Sequence, residues 1–593
     1  MATRLVTKPA AKAARSISSS GASSATDSSA SLPVMDATAS TRMYRFSEHF
    51  AGVGTRFSNP FTRGTIVDRD IKVAHDPAMP SADASLKAPS YNGRHKRWPG
   101  ILLMTLLVLG SVVGIIVFAA KSSSASIERR DAVQLAMANR ARIDSGLETI
   151  GAKRDHIDDD GIVNNPKQYK PMGCELPDYQ SKKGKIWAVG KNGTEVPVSI
   201  KGVNWFGMET GMQAPFGLWD NDQNGTTVYA IADFLSLNNF NSVRMPLCLE
   251  NILENKPLEA NIINRVTNRA LDMSSYIHLL QSIVKGLGYR SISVLISMHT
   301  LNRMNDAGSL WYGKGFTEDQ FMTAIDVLTK NLCSDTYWNI LGIDVKNEPF
   351  AGSWGDGEKA DFKAGAERIA ARMLRGCPKW MAFVEGINQQ HEIVLDGKEY
   401  GYYDWFGGGL HSAKKFPPTF VTDNKLVYAP HYYTPAVFPQ YYLYGGGNVT
   451  KDSAIANYIE LDTPTLKGRV KATMYDMFGY LNANKGPAVL LGEFAGLYTK
   501  DAHPMKTTQR CTDLTIEIAV EEGYAGAYMW SLNPESAYQF NPSDKPGTYI
   551  EGLLELDWRT PNKPFLTAMK GLDHLKDLKP MPCFPIEKAA ATP

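Results

Sequence analysis

Hydrophobic and polar positions divide this chain into parts of different character. Residues 1–97 carry no periodic apolar face, and 16–30 is a Ser- and Ala-rich low-complexity tract, so this stretch reads as a disordered tail. Residues 101–120 then run without a single charge, matching the ~20 residues a helix needs to cross a ~30 Å hydrocarbon core. Arg94-His95-Lys96-Arg97 and Trp98 precede the run and Lys121 follows it, which predicts a transmembrane helix over 98–121. A polar stem over 122–175 comes next, with a short helical stretch near 131–150. From Gly184 the pattern becomes regular. Segments 186–189 and 195–198, joined through Asn192-Gly193, predict a small hairpin.

Apolar strand-like runs follow at 200–205, 242–246, 292–299, 341–348, 381–385, 426–432, 488–493 and 526–531. Amphipathic helical stretches separate them at 228–237, 262–287, 317–332, 359–375, 467–484 and 507–522. Eight strands that read as continuous apolar runs, with helices between them, predict a (β/α)8 TIM barrel within a domain spanning 176–593. A doubly wound sheet shows the same alternation, but it usually carries a glycine-rich phosphate loop after its first strand, and this sequence has none.

Composition changes the picture in two places. The net charge of +2, from 63 basic and 61 acidic residues, gives no reason to expect a nucleic-acid partner. Basic residues flank the apolar run on both sides, so they do not orient it. All six cysteines do, together with the three Asn-x-Ser/Thr sequons at Asn192, Asn224 and Asn448, because every one lies after the run. The expectation is a single-pass type II membrane protein, with the large domain lumenal or at the cell surface and glycosylated at those sequons. Arg129-Arg130 in the stem is a dibasic pair at which that domain could be released. Cysteine pairing stays open, with Cys333 and Cys377 favoured because they bracket Asn347-Glu348-Pro349. The acidic clusters at 158–161 and 220–225 have the wrong spacing or the wrong last residue for a calcium loop.

The chemistry lies at the predicted strand ends. Glu348 closes one apolar run and Glu493 another, delivering two carboxylates to the carboxyl rim of a barrel. Retaining glycoside hydrolysis needs such a pair, an acid/base and a nucleophile about 5–5.5 Å apart. The other strand ends hold Asn204, Trp205, Arg244, His299, Asn347, Glu385, His431, Tyr433 and Trp530, an unusually polar and aromatic set beside a hydrophobic core. Singly, each has a structural reading as ion pair, core histidine, helix cap or packing indole. The number of them at one rim favours a site.

These motifs resemble family 5 glycoside hydrolases, the cellulase family, over residues 198–535. The matching segments include Val243-Arg244-Met245-Pro246, Ser297-Met298-His299, Asn347-Glu348-Pro349, His431-Tyr432-Tyr433, Gly492-Glu493-Phe494 and Met529-Trp530-Ser531. The resemblance implies an endo-β-1,4-glucanase in which Arg244, His299, Asn347, Glu348, His431, Tyr433, Glu493 and Trp530 form the site. By that likeness Glu493 is the nucleophile and Glu348 the acid/base. Arg244 and Tyr433 aim Glu493, His431 orients Glu348, and His299, Asn347 and Trp530 hold the sugar. Trp205, Trp219, Trp311 and Trp354 are further subsite candidates, each equally open to a core role. No metal or organic cofactor is expected, and the partner is a β-glucan polysaccharide or oligosaccharide. Linkage stays open among β-1,4-, β-1,3- and mixed-linkage glucan and mannan. Transglycosylation and a catalytically silent glycan-binding protein are the other readings.

Overall fold

The computed structural model describes residues 98–586 apart from 145–164, 222, 305–307 and 484. The expected tail (1–97), part of the stem and the acidic cluster at 158–161 lie outside the described residues. One continuous helix, Trp98–Asp144, replaces the separate membrane helix and stem stretch. Within it Leu102–Ser124, 23 residues, is long and apolar enough to cross a membrane, and its side chains are exposed rather than packed in a core. Arg129-Arg130 falls inside this helix, not on the exposed loop that proteolytic nicking favours.

Eight parallel strands close into a barrel. They are β1 (Ile200–Asn204), β2 (Ser242–Cys248), β3 (Ser293–Thr300), β4 (Ile340–Asp344), β5 (Met381–Val384), β6, β7 (Ala488–Ala495) and β8 (Gly526–Met529). Ala429-Pro430 splits β6 into Leu426–Tyr428 and His431–Tyr433. Each strand pairs in parallel with the next, and β8 returns to β1, so the sheet has no free edge. Residues are buried along the whole of β3 and β7, which explains apolar runs without alternation. Two glycines let the strands approach. A Cβ on Gly202 would sit 2.1 Å from the Tyr528 ring, and one on Gly342 would sit 1.8 Å from the Met381 carbonyl oxygen.

Helices α1 (Val228–Leu237), α2 (Tyr276–Gly288), α3 (Glu318–Leu332), α4 (Phe362–Gly376), α5 (Thr463–Met474) and α6 (Thr507–Glu521) follow the expected order. Polar caps set five of their starts: Thr227, Ser275, Asp361 and Asp462 each accept a backbone N–H from the first turn, and Thr317 with Gln320 forms a capping box. The expected helix at 262–287 begins only at Tyr276, because the Asn264 and Asn268 side chains bond loop backbone instead of continuing a helix. Between β5 and β6 a hairpin, Gln390–Leu395 with Lys398–Tyr403, stands where a barrel helix would.

The expected hairpin at 186–198 gains a third strand, Asp178–Lys182. Its backbone bonds Lys379, Asn424 and the loop at Gly486, just before β5, β6 and β7, so this small sheet plugs the amino-terminal mouth. Two disulfides, Cys174–Cys583 and Cys333–Cys377, secure the domain. The second is the favoured pair. Cys248 and Cys511 stay free and buried, so the six cysteines do not all pair.

Candidate active site

The carboxyl rim gathers the predicted residues around Arg244. From the middle of β2 its wholly buried guanidinium donates to Glu493 Oε1 at 2.5 Å and to Asn204 Oδ1 at 2.9 Å through Nη1. Through Nη2 it donates to Asn347 Oδ1 and Asp344 Oδ2, both at 2.7 Å, with Glu385 Oε1 at 3.2 Å. A buried guanidinium needs this many acceptors, and its planar fork fixes their relative positions.

Glu493 sits on β7 beside His431 in the β6 register and is 2% exposed. Tyr433, two residues further along β6, donates its hydroxyl to Glu493 Oε2. Both carboxylate oxygens are thus engaged on the protein side. Glu348 departs from expectation in its backbone: β4 ends at Asp344, and Glu348 lies in the turn beyond it with φ +45°. A non-glycine residue there costs about 1–3 kcal/mol unless its surroundings impose it. Here the Glu348 N–H is bound by Glu385 Oε2 at 2.7 Å. His431 Nδ1 lies 3.1 Å from Glu348 Oε1, and its Nε2 lies 3.1 Å from Glu385 Oε1 in an ion-pair contact angled away from a hydrogen bond.

One oxygen of Glu348, one oxygen of Glu493 and a His431 nitrogen all lie within 4.8 Å of one another. Burial raises the Glu348 pKa above the ordinary glutamate value. Its His431 hydrogen bond opposes this and the charge of Glu493 adds to it. Burial disfavours the charged form of His431, but Glu385, Glu493 and Glu348 outweigh it and hold the imidazolium well above its usual pKa. Burial, then Glu385, pushes Asp344 up to about 8. Burial, then Arg244, drives His299 well below its usual range, leaving a neutral ring parallel to Trp530 at 6.0 Å between centroids. Phe206 stacks on Trp530 at 5.5 Å.

The eight residues of the resemblance therefore meet at one place. The four extra tryptophans do not join them. Trp205 and Trp311 are fully buried, the first donating its indole N–H to the Phe216 carbonyl and the second lying against Gly365 and Phe362. Trp354 is also buried and donates to the Phe416 carbonyl. Trp205 and Trp311 have no face open to a sugar, and Trp354, as buried as Trp530, is set apart by its place against Phe362 and Phe416. Trp219 is half-buried, edge-on to Trp558. Of the sequons, Asn192 and Asn448 are exposed, whereas Asn224 is half-buried and its amide oxygen accepts from the Trp219 indole.

Two carboxyls in the cluster carry no expected role. Asp344 braces Arg244 from within an apolar run where the sequence gives no sign of it, and Glu385, a strand-end acid, bridges Arg244, His431 and the Glu348 backbone. Nearby, buried Glu209 accepts the Gly207 N–H at 2.7 Å, pinning the turn that carries Phe206.

A closed (β/α)8 barrel with two facing glutamates, an arginine clamp and a stacked aromatic floor at its carboxyl rim defines a β/α-barrel glycoside hydrolase. The chain belongs to the family described as Cellulase (glycosyl hydrolase family 5), whose model matches residues 189–536. It is a glycoside hydrolase of the cellulase type. It is 29% identical over 377 residues to the major extracellular endoglucanase of Xanthomonas campestris pv. campestris, covering 63% of this chain and 68% of that one. An endoglucanase of Paenibacillus polymyxa is 26% identical over 407 residues, covering 67% and 88% of the two chains. Among solved structures, a cellotetraose complex of the endocellulase from Pyrococcus horikoshii is similar at TM-score 0.55 and 27% identity, covering 68% of this chain and 100% of that one.

Proposed function

We propose that the protein is a retaining endo-β-1,4-glucanase that cleaves cellulose or a related β-glucan by double displacement. The observation that carries this reading is the approach of one Glu348 oxygen and one Glu493 oxygen to within 4.8 Å, in keeping with the ~5–5.5 Å carboxyl separation of retaining enzymes and short of the ~6.5–9.5 Å of inverting ones. Glu493, aimed by Arg244 and Tyr433, attacks the anomeric carbon as the glycosidic C–O bond breaks, and Glu348 gives its proton to the departing oxygen. Its Oε1 faces His431, so that proton sits on Oε2. Once the glycosyl-enzyme forms, the negative charge of Glu493 is gone and the Glu348 pKa falls. Glu348 then takes a proton from water, whose oxygen attacks the same carbon and frees Glu493.

Asn347, its carboxamide oxygen held by Arg244, is positioned for the sugar 2-hydroxyl, and Trp530 with His299 forms the platform beneath that ring. Similarity to the cellotetraose-binding endocellulase supports a β-1,4-linked glucose chain as substrate. The helix Leu102–Ser124 and the disulfides support the type II arrangement, with the domain of residues 176–593 outside the cytosol and glycosylated at Asn192 and Asn448.

Cellopentaose followed by proton NMR tests the reaction. β-Anomeric product should appear first and mutarotate later, and Glu493→Gln should lower the rate by roughly 10⁴-fold or more with folding intact. Initial α-product, or a Glu493→Gln variant that hydrolyses at a comparable rate, contradicts the mechanism. A panel of linkage-defined oligosaccharides separates β-1,4-glucan from β-1,3-glucan, mixed-linkage glucan and mannan. Product masses separate hydrolysis from transglycosylation.

A further inference from the structure

The excursion between β5 and β6 holds a second cluster of ligating side chains that hydrolysis does not use. His391, on the strand Gln390–Leu395, and His411, opening the 3₁₀ turn His411–Lys414, stack their rings with centroids 3.6 Å apart and 24° between planes. Both turn Nε2 toward one carboxylate: His391 lies 3.0 Å from Asp404 Oδ2 and His411 lies 2.8 Å from Asp404 Oδ1. Asp404 is fully buried, accepts the Gln389 backbone N–H, and forms no Lys or Arg ion pair among the described residues. The imidazoles keep 24% and 18% of their side-chain surface exposed, so the cluster lies just beneath the surface, with Asp404 and His391 Nε2 on its buried side.

A proton inventory argues for a cation between these groups. His411 Nε2 hydrogen-bonds Asp404 Oδ1, whereas its Nδ1 is 3.9 Å from Asp476 Oδ2, beyond hydrogen-bond range, so the neutral ring carries its proton on Nε2. A metal at Nε2 takes the place of that proton, and the His391 side of Asp404 is where the apo cluster is left short of one. His391 Nε2 is buried and makes no hydrogen bond despite its nearness to Asp404. Charging both rings would set two imidazoliums face to face around one carboxylate. A single divalent ion takes both Nε2 lone pairs and the carboxylate while both rings stay neutral. One ligand atom from each of the three residues lies within 4.8 Å of the other two, and closing on an ion at bond lengths of ~2.0–2.1 Å brings such atoms to ~3.3 Å apart.

We propose that His391, Asp404 and His411 form a structural site for a divalent transition metal of the zinc class, completed by solvent. Two imidazoles and one carboxylate favour Zn²⁺ over the all-oxygen shells of Ca²⁺ or Mg²⁺. The site braces the catalytic cluster from behind. A Cβ on Gly407, between two of the ligands in sequence, would lie 2.4 Å from Glu385 Oε2 and 3.0 Å from the His431 ring. Pinning this segment fixes the backing of the two groups that position Glu348.

The test is Zn²⁺ titration of the full-length, chelator-stripped protein in detergent, by calorimetry and thermal melting. The site predicts one equivalent bound at about micromolar Kd or tighter and a rise in Tm. The His391→Gln/His411→Gln variant should lose at least ~100-fold in affinity and the Tm response while hydrolysing cellopentaose in chelator at the rate of the stripped wild type. His391→Gln alone serves if the double variant does not fold. Absence of a Zn²⁺ response in the wild type overturns the proposal. So does undiminished binding in the variant, since that would place the ion at Glu348, His431 and Glu493.

Discussion

Around Glu348 and Glu493, small differences in surroundings underlie the opposite tasks proposed for the same side chain. Glu493 accepts from Arg244 and Tyr433, groups that stabilise an anion, whereas burial holds the Glu348 pKa up. Tyr433→Phe removes one hydrogen bond to a charged group, about 1.5–3 kcal/mol, and should lower kcat roughly 10- to 100-fold in cellopentaose assays. Glu348→Gln should cost ~10²–10⁴-fold on natural glucans and far less on aryl cellobiosides, whose leaving group needs no proton. The pH dependence has a definite sign. The folded pKa of Glu348 lies above the unfolded value of about 4.3, so the folded state holds the proton longer. Its stabilising effect is complete below ~4.3 and is lost as pH rises through the folded pKa, where general-acid activity falls too. Wild-type and Glu348→Gln melts across that window should differ in slope, the variant being flatter. Parallel pH profiles would contradict the assignment.

The strand pattern foretold the elements of the barrel more faithfully than their ends. Continuous apolar runs locate all eight strands because both faces of a barrel strand are buried. The run through Glu348 reads as strand to its end, yet the ladder stops at Asp344, since the partner that draws Glu348 out, Glu385, lies on a different strand. The hairpin in place of a helix after β5 was likewise hidden, as its pairing is set by contacts outside the segment. Residue type at strand ends pointed to the polar cluster at the rim but could not tell an indole beside that cluster from a core one, because Trp205, Trp311 and Trp354 differ from Trp530 only in what surrounds them. Cys333 and Cys377, at the ends of α3 and α4, staple neighbouring helices. Cys333→Ser/Cys377→Ser should lose about 2–4 kcal/mol of stability in denaturant melts while kcat at ambient temperature stays unchanged, since the catalytic residues lie on other elements.

For the whole molecule, the proposed anchoring by the apolar helix Leu102–Ser124 can be tested apart from the activity of the barrel. Full-length protein should pellet with membranes and resist carbonate extraction, whereas residues 165–593 should be soluble with the same kcat on cellopentaose. The amino-terminal sheet and the Cys174–Cys583 bridge tie the ends of that domain together, so trimming either end should unfold it. Cysteines and sequons confined to one side of the apolar run set the expected topology, and protease protection of the tail in sealed vesicles checks it. Equal digestion of tail and barrel in sealed vesicles would remove the type II assignment.

The retaining mechanism proposed for this chain rests on covalent capture by Glu493. Incubation with an activated 2-deoxy-2-fluoro cellobioside, followed by peptide mass mapping, tests it most directly, because the fluorine slows release of the intermediate. One glycosyl adduct per chain, located on Glu493 and absent from Glu493→Gln, is the predicted result. Turnover without an adduct, or an adduct on another residue, would contradict it.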